Sequence, residues 1–255
     1  MTTTTLMPSV ALSRYVLELA DDRLILAQRA CELVACAPTL EEEMANANLG
    51  LDLLGQARVL YDYAVELPGV SGTPDEVAFL RAQHEYRNSL LVEVPQPDFA
   101  FVTARNLFFL VADDARWTLL RDSSDAKLAE LAQLAKRELS YHVAHARTWW
   151  MRMSHGTAES RTRLQAATDE LWKYVDDVFR TASEELVEAG IAADPARIRK
   201  SCLDTLKPLF EQTGVGPQLD VHPHTGGREG RHTEHLGRLL TEMQHLQRAY
   251  PGQQW

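Results

Sequence analysis

An all-α antiparallel helical bundle is the fold class this sequence predicts, and three observations carry the prediction. Apolar residues recur with the helical period over segments of roughly 20 to 30 residues. No stretch alternates in the manner of a strand. The breaks between segments hold residues that stop or start helices. The segments run at about 9–36, 40–67, 74–92, 98–121, 125–154, 158–189, 195–212 and 232–249.

The first segment follows a threonine-rich start, MTTTTLMP, which reads as a disordered N-terminus over residues 1–8. Pro38-Thr39 precedes the second, whose first turn Glu41-Glu42-Glu43 complements the positive end of the helix dipole. Pro68-Gly69 and Ser71-Gly72-Thr73-Pro74 break the chain before the third. His155-Gly156-Thr157 ends the fifth, Gly190 ends the sixth, and Asp194 caps the seventh ahead of Pro195. The stretch GVGPQLDVHPHTGGREG, residues 214–230, is long for a bundle connection and reads as an irregular surface excursion. The last segment places Leu236, Leu239, Leu240, Met243 and Leu246 on one face. It stops at Pro251-Gly252 and leaves a C-terminal tail, Gln253-Gln254-Trp255. With no internal repeat and no low-complexity linker, residues 9–255 read as a single domain with helices additional to the bundle.

Composition excludes several functions. The 255 residues are 45% hydrophobic and 24% charged, as in soluble globular proteins. The formal net charge is −10 without a Lys/Arg block, whereas binding nucleic acid needs a concentrated basic face. Cys31, Cys36 and Cys202 have no Cys-x-x-Cys spacing, so reduced, buried thiols in a cytoplasmic protein are expected. No basic leader precedes an apolar run, and no run reaches the roughly 18 residues of a membrane span. Nucleophile-elbow, phosphate-loop and dinucleotide-fold motifs do not occur either.

The chemistry-bearing candidates are acids and histidines on helices. In a carboxylate-bridged di-iron bundle, two helices each give a Glu and two others each give Glu-x-x-His, all converging inward. Here NLGLDLLGQAR puts Asn48, Asp52, Gly55 and Gln56 on one stripe, which flanking leucines place inside the bundle. ELSYH offers Glu138, Tyr141 and His142. The two motifs therefore read Asp-x-x-Gly and Glu-x-x-Tyr. Glycine coordinates nothing, and His142 at i+4 is turned about 100° from the i+3 direction. Mutually hydrogen-bonded polar side chains are the expectation at these degenerate positions.

Asp21-Asp22 and Asp113-Asp114 can supply single carboxylates, but acids on helices more often pair with a nearby arginine such as Arg23 or Arg116. His222, His224, His232, His235 and His245 cluster late in the chain in no standard zinc spacing. A terminal tryptophan either folds back or anchors a partner. His232, Glu234, His235, Gln253, Gln254 and Trp255 are accordingly the candidate assembly residues.

Longer strings carry more specific information. ANANLGLDLLGQAR (45–58), NSLLVEVPQPDFA (88–100), Tyr141-His142, HTEHLG (232–237) and EMQHLQRAYPGQQW (242–255) resemble one family, from about Ser13 to the end. It is that of the structural, ferritin-like subunits of phenylacetyl-CoA epoxidase, the PaaC type. The resemblance implies a ferritin-like bundle, a scaffold role in aerobic phenylacetate breakdown, and no catalytic residue or cofactor in this chain. It also implies a partner ferritin-like subunit whose di-iron centre epoxidises the ring. A reductase component with flavin and an iron–sulfur cluster would deliver electrons from NADPH. Two other functions compete: an iron oxygenase active on its own, and a CoA-thioester binding module using arginines such as Arg58, Arg105 and Arg147. Self-association is left open by these residues.

Overall fold

A computed structural model of the protein describes residues 10–181, 184–218 and 220–253. The expected disordered start at 1–8 lies outside these residues, as do Gln254 and Trp255 of the tail. Helices α1 (Val10–Cys31), α2 (Leu40–Val65), α5 (Phe99–Leu120) and α6 (Ala126–His155) are the long bundle elements, with α7 (Ala158–Phe179) and α9 (Pro195–Thr213) beside them. The short helices are α3 (Pro74–Phe79), α4 (Leu90–Glu93), α8 (Glu184–Glu188), α10 (Glu234–Met243) and α11 (His245–Ala249). No strand occurs among the described residues, so the all-α, ferritin-like expectation holds. No helix among them is long and apolar enough to cross a membrane.

Local chemistry sets most boundaries. Thr73 and Glu76 form a reciprocal capping box around Pro74 at the start of α3. Asp98 accepts from Phe101 N at 3.0 Å and Asp125 from Leu128 N at 2.9 Å, opening α5 and α6. Asp194 caps α9 as expected, accepting from Ala196 N at 2.8 Å, and Gly214 closes that helix in the left-handed region at φ 61°.

Two helical hairpins make the body: α2 packs along α1, and α6 along α5. Both α1 and α5 are buried on nearly every side; α5 reads largely apolar, whereas α1 buries charged residues as well, among them Asp21, Asp22 and Arg23. Against α5, helices α6, α7 and α9 meet in an aromatic cluster. Phe108 lies 5.9 Å from Trp150, 5.3 Å from Trp172 and 6.2 Å from Phe210, centroid to centroid. Burial of each such ring stabilises the fold by roughly 2–3 kcal/mol.

Five expectations are corrected. The segment at about 74–92 is not one helix: α3 ends early, a 3-10 turn covers Gln83–Glu85, and α4 is a single turn. The reason is tertiary. Backbone N–H groups of Arg87, Ser89 and Leu90 are drawn away to the carboxylates of Asp21, Asp22 and Asp177, at 2.7, 2.6 and 2.9 Å. The next expected continuous helix, 158–189, stops at Phe179 and resumes as α8. The last one breaks at Gln244, whose buried side chain donates to Arg81 O and Tyr86 Oη, which leaves Leu246 exposed.

The fourth correction concerns 214–230, expected as a surface excursion. Its tip is built into the core. Arg228 is buried and reaches Asp22 at 2.7 Å, Glu18 O at 3.1 Å and Arg87 O at 2.8 Å. Gly227 sits so close to the 88–90 backbone that a Cβ there would lie 2.1 Å from Asn88 O. The fifth concerns the thiols: Cys202 is buried, but Cys31 and Cys36 are exposed, because α1 ends at Cys31 and the chain turns in solvent.

Candidate functional site

The site is built where α1, α2, α5 and α6 face one another. On α1 the apolar stripe Val16, Leu19, Ala20, Leu26, Ala27 and Ala30 is interrupted at Arg23, one turn from both Leu19 and Ala27, so the guanidinium is forced inside. A buried cation needs a partner. Arg23 Nη2 lies 2.8 and 2.7 Å from the two oxygens of Asp113 on α5, and its ring face contact is Trp117 at 4.5 Å. Arg116 donates to the same carboxylate at 3.0 Å.

Arg23 also donates through Nε to Gln56 Oε1 on α2 at 3.0 Å, and Gln56 Nε2 donates to Glu138 Oε2 on α6 at 2.8 Å. Asp113, Arg23, Gln56 and Glu138 thus form one polar line through four helices. Burial pulls the Arg23 guanidinium below its usual range, an effect that the Asp113 carboxylate opposes. One turn along, His142 Nε2 sits 2.8 Å from Asp52 Oδ2. Beyond that pair, His145 Nε2 lies 3.1 Å from Glu42 Oε2.

These residues do not fit a pair of irons. Gly55 brings no donor, and its Cβ position opens onto empty space. Tyr141 is 59% exposed and stacks on His145 rather than turning inward. Glu138 is exposed and engaged by Gln56, and Asp113 is held by two arginines. The Arg23 guanidinium supplies positive charge between Asp113 and Gln56 inside the bundle. Among the described residues, no three His, Cys, Asp or Glu converge as a metal-holding group.

The polar stripe of α2 is also less buried than its flanking leucines suggested. Asn48 and Gly55 are exposed, and the Asp52 side chain is 38% exposed. The inward stripe is Leu49, Leu53, Ala57, Leu60 and Ala64, packed on α1, so the polar residues face the cleft between α2 and α6.

The model of the phenylacetic acid catabolic protein family matches residues 2–255. The chain belongs to that family. It is also 41% identical over 247 residues to a subunit of the 1,2-phenylacetyl-CoA epoxidase of Escherichia coli (strain K12), covering 96% of this chain and 99% of that protein. The family resemblance expected from the ANANLGLDLLGQAR and C-terminal strings therefore holds over the chain's whole length.

The remaining candidates lie apart. Asp21 pairs with Arg81 and Asp22 with Arg228, deep in the fold, and Asp114 pairs with Lys136 at the surface. His232 is buried with Glu93: Nδ1 lies 2.9 Å from Glu93 Oε2 and Nε2 3.0 Å from Tyr86 O, so this ring is spent inside the chain. Glu234 is exposed beside Arg238, His235 is half-buried, and Gln253 is exposed. His222, His224 and His245 are exposed and do not meet. Arg105, offered for CoA phosphates, is fully buried, donating to Val94 O at 3.0 Å and to Gln96; Arg58 and Arg147 are exposed. What composition and motif spacing passed over is Arg23 as the centre of the line, and the signal was present: a charged residue inside an apolar helical stripe.

Proposed function

We propose that this chain is a structural subunit of a multicomponent oxygenase that epoxidises the ring of phenylacetyl-CoA, acting in the cytoplasm in aerobic phenylacetate breakdown. It pairs with a catalytic di-iron subunit and holds that subunit's bundle in its working shape. The likeness to the Escherichia coli epoxidase subunit along both full lengths supports the assignment. One observation carries the scaffold role: the Arg23 guanidinium, tied to Asp113 and through Gln56 to Glu138, stands in the middle of a bundle whose remaining motifs end in Gly55 and Tyr141.

In this role the chain's residues do positional work. The buried Arg23–Asp113 and Arg228–Asp22 pairs and the aromatic cluster around Phe108 fix the helices as a rigid body. Binding free energy from such a body favours one arrangement of the partner and shifts the partner's population toward it. No bond is made or broken on this chain. Electrons from NADPH, through the flavin and iron–sulfur cluster of a reductase component, go to the catalytic subunit. The CoA-binding alternative is weakened because Arg105 is not accessible. Residues 9–255 act as one domain.

The test has two parts. Metal analysis of the isolated chain, loaded with ferrous iron and desalted, is expected to find far less than one iron per chain; two tightly held irons with oxygen consumption would sink the scaffold role. Turnover by the companion catalytic subunit is expected to fall when this chain is left out, and equal turnover would count against the coupling.

A further inference from the structure

We infer that the cleft between α2 and α6 is a docking groove for a helix of the companion subunit, one bearing an apolar stripe flanked by lysines or arginines. The inference rests on the proposed pairing with that subunit and assigns its surface.

Exposed apolar side chains run along both helices that border the groove. Leu40, Met44, Leu51, Val59, Leu134 and Tyr141 are half of the large hydrophobic side chains exposed among the described residues, and all six lie on these two helices. Leu51 is 65% and Leu134 54% exposed, so the described residues leave both largely uncovered. Two hollows of about 240 and 260 Å³ share Val59, Leu131 and Leu134 and so run into each other along the cleft. Gly55 removes bulk from its wall, since a Cβ there would meet nothing within 4 Å. At 1.5 Å per residue, the part of α2 from Leu51 to Val65 that borders the hollows gives a track of roughly 22 Å, long enough to seat several turns of a helix. Apolar surface gathered in one patch on a soluble protein marks an interaction site.

Charge selects the occupant. The walls of the two hollows carry Asp52, Asp62, Glu66, Glu130 and Glu138 against one cation among the described residues, Lys127, which is already paired with Glu66. A second copy of this chain seated on the same groove would bring these carboxylates against each other. A basic amphipathic helix satisfies both the apolar floor and the acidic walls, and opposite charge also steers its approach.

The test uses the purified full chain and the companion catalytic subunit in titration calorimetry and stopped-flow association. Leu51→Asp with Leu134→Asp is expected to weaken pairing by at least about tenfold. Because both side chains are exposed, the helical circular dichroism and melting temperature should be unchanged. Asp62→Lys with Glu130→Lys should slow association and flatten its dependence on salt. Leu246→Asp, exposed on α11, should pair normally. If the wild-type chain pairs and the Leu51 and Leu134 variant pairs equally well, the groove assignment is wrong while the scaffold reading stands. If the wild-type chain does not pair at all, both fall. If the isolated chain dimerises in sedimentation and the Leu51 and Leu134 variant does not, the groove belongs to a second copy and the heterologous occupant is overturned.

Discussion

Arg23 Nη2 reaches both oxygens of Asp113, at 2.8 and 2.7 Å, across the interface between α1 and α5, with neither side chain open to solvent. Such a pair is costly to desolvate, but far more costly to break from one side, because the survivor stays buried with its charge uncompensated. Arg23→Met should therefore destabilise the protein by about 3 kcal/mol, a loss measurable as a lower urea midpoint and a melting temperature lower by roughly 6–12 °C. Adding Asp113→Leu should recover a substantial part of that loss, and a fully additive double variant would argue that the two are not coupled.

Two glycines should respond in opposite directions. At Gly227 a Cβ would fall 2.1 Å from the backbone oxygen of Asn88, an atom that cannot swing aside. Gly227→Ala should cost about 1–3 kcal/mol by forcing the 226–228 tip off the body, and a wild-type melting curve would contradict the fit. Gly55 lies in mid-helix, facing open space. There, Gly55→Ala should leave the isolated chain as stable or more stable, by up to about 1 kcal/mol.

Alkaline unfolding should follow the tyrosines. Burial pushes the Tyr15 and Tyr86 phenols up to about 12 from an ordinary 10.0. It raises Tyr61, beside Asp21, and Tyr63, bonded to Asp125, as well. A raised phenol keeps its proton in the folded state, so its contribution is whole below pH 10 and is lost as the pH climbs through about 12. For Tyr15 and Tyr86 this is on the order of 2 kcal/mol each. Ultraviolet titration of the native protein should leave these four silent at a pH midway between the two values, and denaturation should release them.

Thiol labelling separates the cysteines. Burial pushes the Cys202 thiol up to about 12 and hides it from reagent, while Cys36 is exposed. Cys31 is exposed as well, but partial burial and the Glu32 charge raise its thiol. Iodoacetamide on the native protein should mark Cys36 first, Cys31 more slowly and Cys202 only after unfolding; mass spectrometry of tryptic peptides reads the order.

The long helices were legible in the sequence because they bury continuous stripes and several start at a capping side chain, such as Asp98, Asp125 or Asp194. The short ones were not. Residues 80–92 have a helical pattern, but their amides are recruited by Asp21, Asp22 and Asp177 from elements distant in the chain. Arg228 defeats composition in the same manner, since glycine- and histidine-rich surroundings mark a loop without saying that its tip is anchored inside. At the candidate site, spacing singled out Gly55 and Tyr141, neither of which carries an imidazole. It could not place Arg23 beside Asp113, because a pairing 90 residues apart in sequence is a property of the packed helices.

A side chain, unlike an ion, cannot be chelated, outcompeted or lost to dilution. Arg23, paired with Asp113, is a positive charge that the chain itself carries in the middle of this bundle. If the scaffold role proposed above holds, folding of this chain is expected to proceed equally well in iron-starved and iron-replete cells.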